Sequence, residues 1–215
     1  MSALLDELAL YADVLAEAQR LCVVPPGEDR DPALDDLLAF TARTFPRYRP
    51  APHHLIAERL MAVERGEIDR LIVTMPPRHG KTQLASIQFP AWYLGRNPDK
   101  RVIGTSYAAL LAYRISRQAH NLLQLQSWPF EVGLADDLAN LQSWDISRRH
   151  GGYLAAGVGG PITGSGANLL SIGDPIKNQE EADSATYREN VWDWYTATAY
   201  TRLEEGDAII VIQTR

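Results

Sequence analysis

The chain has 215 residues, 46% of them hydrophobic, which suffices for one sizeable α/β core with a short appendage. A formal charge of −6 argues against a protein that coats nucleic acid by charge alone, while leaving room for local basic contacts. The single Cys22 excludes an internal disulfide, the five histidines (His53, His54, His79, His120, His150) lack the paired spacing of a zinc site, and neither a membrane span nor a secretory signal is expected, which makes a cytoplasm the expected compartment.

The pattern predicts acidic helices at Ala3 to Leu21 and Pro32 to Arg43, separated by a linker, Val23 to Asp31. Residues 1–45 read as a helical N-terminal appendage and 46–215 as the main domain. Pro46 to Pro52 is extended by its prolines, and a helix from His53 to Arg65 places Ile56, Leu60 and Val63 on one face, closed by Gly66. An apolar strand, Leu71 to Met75, precedes a helix that starts at Lys81 and turns Leu84, Ile87 and Trp92 inward, with a kink or an early end expected at Pro90. After the turn at Asn97, a strand is expected at Arg101 to Tyr107 and a helix at Ala108 to Leu123 with Leu111, Ile115, Ala119 and Leu122 as its apolar stripe. This βαβα order predicts a mostly parallel sheet flanked by helices. Leu141 to Ile146 and Gly152 to Ala156 read as a β-hairpin inserted in the sheet connections. The glycine-rich Gly157 to Gly166 then leads to a strand, Leu169 to Ile172; a helix from Ser184 to Leu203 with a serine N-cap follows, and a strand from Ala208 to Gln213 comes last.

The chemistry concentrates at Pro77-Arg78-His79-Gly80-Lys81-Thr82, between a strand and a helix. Such a loop aims backbone N–H groups and a helix dipole at a phosphate, while a lysine reaches the outer phosphates and a hydroxyl meets Mg2+. Gly80, Lys81 and Thr82 suit those parts, although Met75 stands where the full pattern has its first glycine; the bland alternative is a chance Gly-Lys-Thr in a surface turn. An ATPase of this kind also needs an acid at the end of a buried strand, and Asp174, after Leu169 to Gly173, is the candidate. Gly-Asp-Pro is also a common turn, and both readings stand at this point.

Taken in order, Pro76 to Thr82, Phe89 to Asp99, Thr105 to Tyr107, Gly157 to Gly160, Asp174 to Lys177, Trp192 to Tyr195 and Gln213 to Arg215 resemble the ATPase half of a tailed-phage terminase large subunit. The resemblance covers His53 to Arg215. It implies a P-loop ATPase using ATP and Mg2+ to package double-stranded DNA into a capsid, in a homo-oligomeric ring with a small subunit and a portal, in the cytoplasm of a bacterial host. It assigns phosphate contact to Pro77, Arg78, His79, Gly80, Lys81 and Thr82, with Arg78 near the γ-phosphate. Thr82 and Asp174 fall to the metal, Asp174 also to the attacking water, and Gln213 and Thr214 to coupling.

The chain departs from that pattern where turnover is decided. Gly173 replaces the first of two adjacent acids, and Ser165 stands between glycines where an arginine is usual; such an arginine is worth about 10³ to 10⁵ in rate. The nuclease domain that follows in the family lies outside this sequence, so DNA cleavage is not assigned to it. Two alternatives follow: a catalytically impaired nucleotide-binding remnant, or another DNA-dependent ATPase. Among weaker features, Arg148, Arg149 and His150 form a basic turn, Arg114 and Arg117 are expected on an exposed helix face, and Trp192, Trp194 and Tyr195 cannot all face one core. His53 and His54 are expected to cap their helix or lie at the surface.

Overall fold

The computed structural model describes residues 30–49, 53–135, 140 and 142–214. The expected helix Ala3 to Leu21, Cys22, the prolines 50 and 52, Leu141 and Arg215 lie outside the described residues.

Six strands form one sheet in the spatial order β1-β6-β5-β2-β4-β3. They are β1 (Arg70–Met75), β2 (Arg101–Ser106), β3 (Ser143–Asp145), β4 (Gly152–Gly157), β5 (Leu169–Gly173) and β6 (Ala208–Thr214). All pairings are parallel except β3 with β4. The expected hairpin is present, and its second strand is a full member of the sheet, paired with β2 from Arg101 opposite Gly152 to Ser106 opposite Gly157. Because the other five strands run the same way, the loops after β1, β2, β4 and β5 and the end of β6 all lie at one edge, which is where an open α/β sheet binds its ligands.

Alternation along β6 shows how both faces are used. Ile210 and Ile212 face a core with Leu60, Leu84 and Trp92, while Ile209 and Val211 face a second one with Trp194 and Ala199. The first face is covered by α1 (Leu37–Thr44), α2 (His54–Glu64), α3 (Phe89–Arg96) and α4 (Ala109–Leu122). On the second lies α6 (Ala185–Trp194), preceded by the short α5 (Gln179–Asp183) and continued through π-helical Tyr195–Ala199 and 3-10 Tyr200–Arg202. The Ser184 side chain does cap α6, accepting from the Tyr187 N–H. Of the aromatic residues Trp192, Trp194 and Tyr195, Trp194 is buried, Tyr195 half-buried and Trp192 exposed.

Helix α1 begins later than the pattern predicts. Pro32–Leu34 makes a 3-10 turn, and Asp36 then caps α1 by accepting from the Ala39 N–H at 2.6 Å. Phe40 and Leu37 are fully buried in the main core, and the Trp92 indole N–H donates to the Ala33 carbonyl, so this part of the appendage is packed onto the sheet domain. Pro90 does not end its helix either. Thr82–Gln88 is π-helical, Pro90 falls in the first turn of α3, and Gln88 and Phe89 keep helical dihedrals, so the chain changes pitch where an N–H is missing. Arg114 and Arg117 are exposed on α4, as expected.

Candidate active site

Strand β1 delivers the chain to the loop Pro76 to Gly80, and Lys81 opens the helix that follows. Within that loop Arg78 has φ 63° and Gly80 φ 81°. Alternation between left- and right-handed backbone turns successive N–H groups to one side, which is the geometry of an anion-binding concavity. The His79 ring donates through Nδ1–H to the Pro77 carbonyl at 2.8 Å, and the Leu84 N–H donates to the Gly80 carbonyl at 3.0 Å, tying the loop to the first helical turn. Pro77, Arg78 and His79 are exposed, Gly80 and Thr82 half-buried.

Lys81 is 5% exposed, so its ammonium must find partners inside the protein. It donates to both oxygens of Asp174, at 2.9 and 3.1 Å, and to the Thr214 hydroxyl. Asp174 in turn accepts from the Thr214 N–H at 2.8 Å and its hydroxyl at 2.9 Å. The Asp174 backbone closes the ends of two further strands: its N–H donates to the Ile212 carbonyl, and its carbonyl accepts from the Tyr107 N–H. This junction holds Asp174 at φ 40°, a conformation disfavoured for a residue with a side chain. Three segments far apart in the chain therefore meet at one carboxylate: the loop lysine, the end of β5 and the end of β6.

Gln213 is half-buried beside this junction and lines a cleft of about 430 Å3 together with Tyr107, Asp174, Lys177, Asn178 and Thr214. Gly80, Lys81 and Thr82 do not line that cleft; Asp174 and Thr214 stand between it and the lysine. Ser165 is half-buried in its loop, with Gly164 at φ 85° before it. At Gly173 an added Cβ would meet the Thr105 carbonyl oxygen at 3.5 Å and the Ser86 hydroxyl at 3.7 Å, both ordinary contacts, so a Cβ fits at that position.

The basic turn lies elsewhere. Arg148 is exposed at φ 56°, Arg149 pairs with Asp99 at 3.5 Å, and the His150 N–H also donates to Asp99. At His53 the structure corrects the expectation of a capping or surface residue. Its side chain makes no capping bond; it is 4% exposed, and Nε2 is hydrogen-bonded to the carbonyl of His79 in the loop after β1. Two histidines directly after a proline-rich segment were the available signal, but periodicity alone could not place that segment under the loop.

Comparison of the sequence with protein-family models and with curated proteins gives no match. Among solved structures, the crystal structure of the HK97 bacteriophage large terminase is similar, with a TM-score of 0.53 and 15% sequence identity over 84% of this chain. The chain has the fold of a phage large terminase. It spans 37% of the length of that structure.

A magnesium ion usually takes one or two protein oxygens and completes its shell with phosphates and water. The donors here, the Thr82 hydroxyl and the Asp174 carboxylate, are of that kind, and the described residues contain no group of three His, Cys, Asp or Glu side chains that could cage a metal unaided. The residues fit a metal brought in with a triphosphate.

Proposed function

We propose that this chain is the ATPase module of a phage-type large terminase, which binds ATP and Mg2+ at the loop Pro77 to Thr82 and uses hydrolysis to drive double-stranded DNA into a capsid. The observation that carries this reading is the meeting of Lys81, Asp174 and Thr214 at one edge of the sheet, since a nucleotide motor must connect its phosphate site to a segment that moves. Loop N–H groups and the Lys81 ammonium would hold the phosphates, with Arg78 beside the γ-phosphate. Thr82 and Asp174 would hold Mg2+, which when bound offsets charge on the β- and γ-phosphates. Asp174 would orient the attacking water by accepting its hydrogen bond, and Gln213 and Thr214 would sense the change in that carboxylate's partners. The working assembly would be a homo-oligomeric ring acting with a small subunit and a portal, in the cytoplasm of a bacterial host. Among the described residues no helix is long and apolar enough to cross a membrane.

A second reading is favoured by Gly173, Ser165 and the crowded state of Asp174. One carboxylate here already serves a lysine and a threonine, and the neighbouring position that would share the load has no side chain. The chain would then bind nucleotide without turning it over. Direct binding and steady-state hydrolysis of Mg-ATP separate the two, measured on the unaltered chain, on Lys81→Ala, and on Gly173→Asp combined with Ser165→Arg. Hydrolysis that disappears in Lys81→Ala supports the motor. Binding whose turnover is gained only in the double variant supports the impaired form, and absence of both binding and hydrolysis removes the nucleotide site altogether.

A further inference from the structure

We infer that His53 is a positioning residue for the phosphate loop, with Tyr48 stacked against it as the floor on which the loop rests; the inference deepens the nucleotide-binding reading and depends on it. Three observations converge. First, among the described residues the one hydrogen bond of the buried His53 ring joins Nε2 to the carbonyl of His79, the residue just before Gly80. A carbonyl can only accept, so Nε2 carries the proton and donates, and this fixes the peptide plane between His79 and Gly80. With that carbonyl drawn toward His53, the N–H of Gly80 on the other end of the same peptide is turned the opposite way, away from the ring.

Second, the ring sets what may stand above it. A Cβ on Gly80 would lie 3.0 Å from His53 Cε1, 3.2 Å from Nε2 and 4.0 Å from a Tyr48 ring carbon. Glycine at position 80 is therefore required twice, by its φ of 81° and by the imidazole beneath it. Third, the His53 ring cannot swing away freely. It is stacked on Tyr48 with ring centroids 5.2 Å apart and planes 22° apart, and Tyr48 is itself 8% exposed. Both outer polar atoms of this pair, Tyr48 Oη and His53 Nδ1, are buried and have no hydrogen-bond partner among the described residues. Leaving two polar atoms unpaired opposes burial, so stacking and the single bond to the loop must outweigh that cost. Burial also drives the Tyr48 hydroxyl pKa upward, which keeps the floor uncharged.

The arrangement predicts that the N–H donor matters more than the ring. His53→Phe keeps the aromatic stack and removes the donor; His53→Gln removes the ring and presents an amide N–H at a similar reach. Affinity for a fluorescent ATP analogue with Mg2+ is measured for the unaltered chain and both variants, alongside thermal unfolding without nucleotide. Losing one such bond corresponds to about tenfold in affinity. The expected result is that His53→Phe binds about tenfold more weakly while His53→Gln stays within about threefold of the unaltered chain, although Gln loses the stack. Equal binding by the unaltered chain and His53→Phe overturns the inference and leaves the nucleotide site standing. So does a loss in both variants that tracks their loss of thermal stability, which marks His53 as a packing residue only. An unaltered chain that binds no ATP analogue overturns the nucleotide reading and this inference with it.

Discussion

The two ends of the β2 register are held by opposite means. Toward β3 the sheet edge is an apolar aromatic stack. Trp144, fully buried, lies on Tyr153 with centroids 5.3 Å apart and planes 8° apart, and Tyr153 leans over Gly104, where a Cβ would come within 1.8 Å of its hydroxyl oxygen. The Trp144 indole N–H donates to Ser116 on α4, so this edge is satisfied and tight. Toward β6 the edge at Lys81 is held by charge and by backbone conformations disfavoured away from glycine, with a buried ammonium on one carboxylate and non-glycine residues at positive φ in Arg78 and Asp174. Packing of the first kind contributes only stability. The polar junction can exchange partners, which suits the phosphate site proposed above.

That contrast makes predictions that can break it. The largest effect on stability is expected at the aromatic edge: Trp144→Ala should lower unfolding free energy by about 3–5 kcal/mol in urea titration, with affinity of the remaining folded protein for Mg-ATP unchanged. Asp174→Ala comes next. It leaves the Lys81 ammonium buried with Thr214 as its only remaining partner, and should cost about 2–3 kcal/mol without nucleotide, part of which Mg-ATP restores by supplying new negative charge. If Asp174→Ala unfolds like a surface substitution and is indifferent to Mg-ATP, the polar junction is not what holds this edge. Gly104→Ala should cost about 1–3 kcal/mol, because its Cβ must displace a Tyr153 ring clamped by Trp144; calorimetry is the check. The smallest effect is Ser184→Ala, about 1 kcal/mol from the lost cap of α6, with nucleotide affinity untouched because α6 covers the other face of the sheet.

Gly173 sharpens the comparison from the other side. There is room for a Cβ there, so Gly173→Ala should cost little, and the further penalty of Gly173→Asp over Gly173→Ala in the nucleotide-free protein measures placing a carboxylate at this position. A penalty that shrinks when Mg-ATP is added would show that the restored acid faces the metal.

Much of the fold was legible in the residues themselves. Alternating or continuous apolar runs mark β1, β2, β5 and β6, the 3.6-residue stripe marks α4, Ser184 announces the start of α6, and Gly-Lys-Thr between a strand and a helix marks the loop. These signals are local, since burial on a strand or a helix leaves its period in the sequence. Strand order, the membership of β4 in the sheet and the meeting of Lys81 with Asp174 and Thr214 depend on contacts across 93 and 133 residues, and no local period encodes them. His53 is the sharpest case. By sequence it is a polar residue at the start of a helix, and only the packing of α2 against β1 brings its ring beneath Gly80 and within reach of the His79 carbonyl.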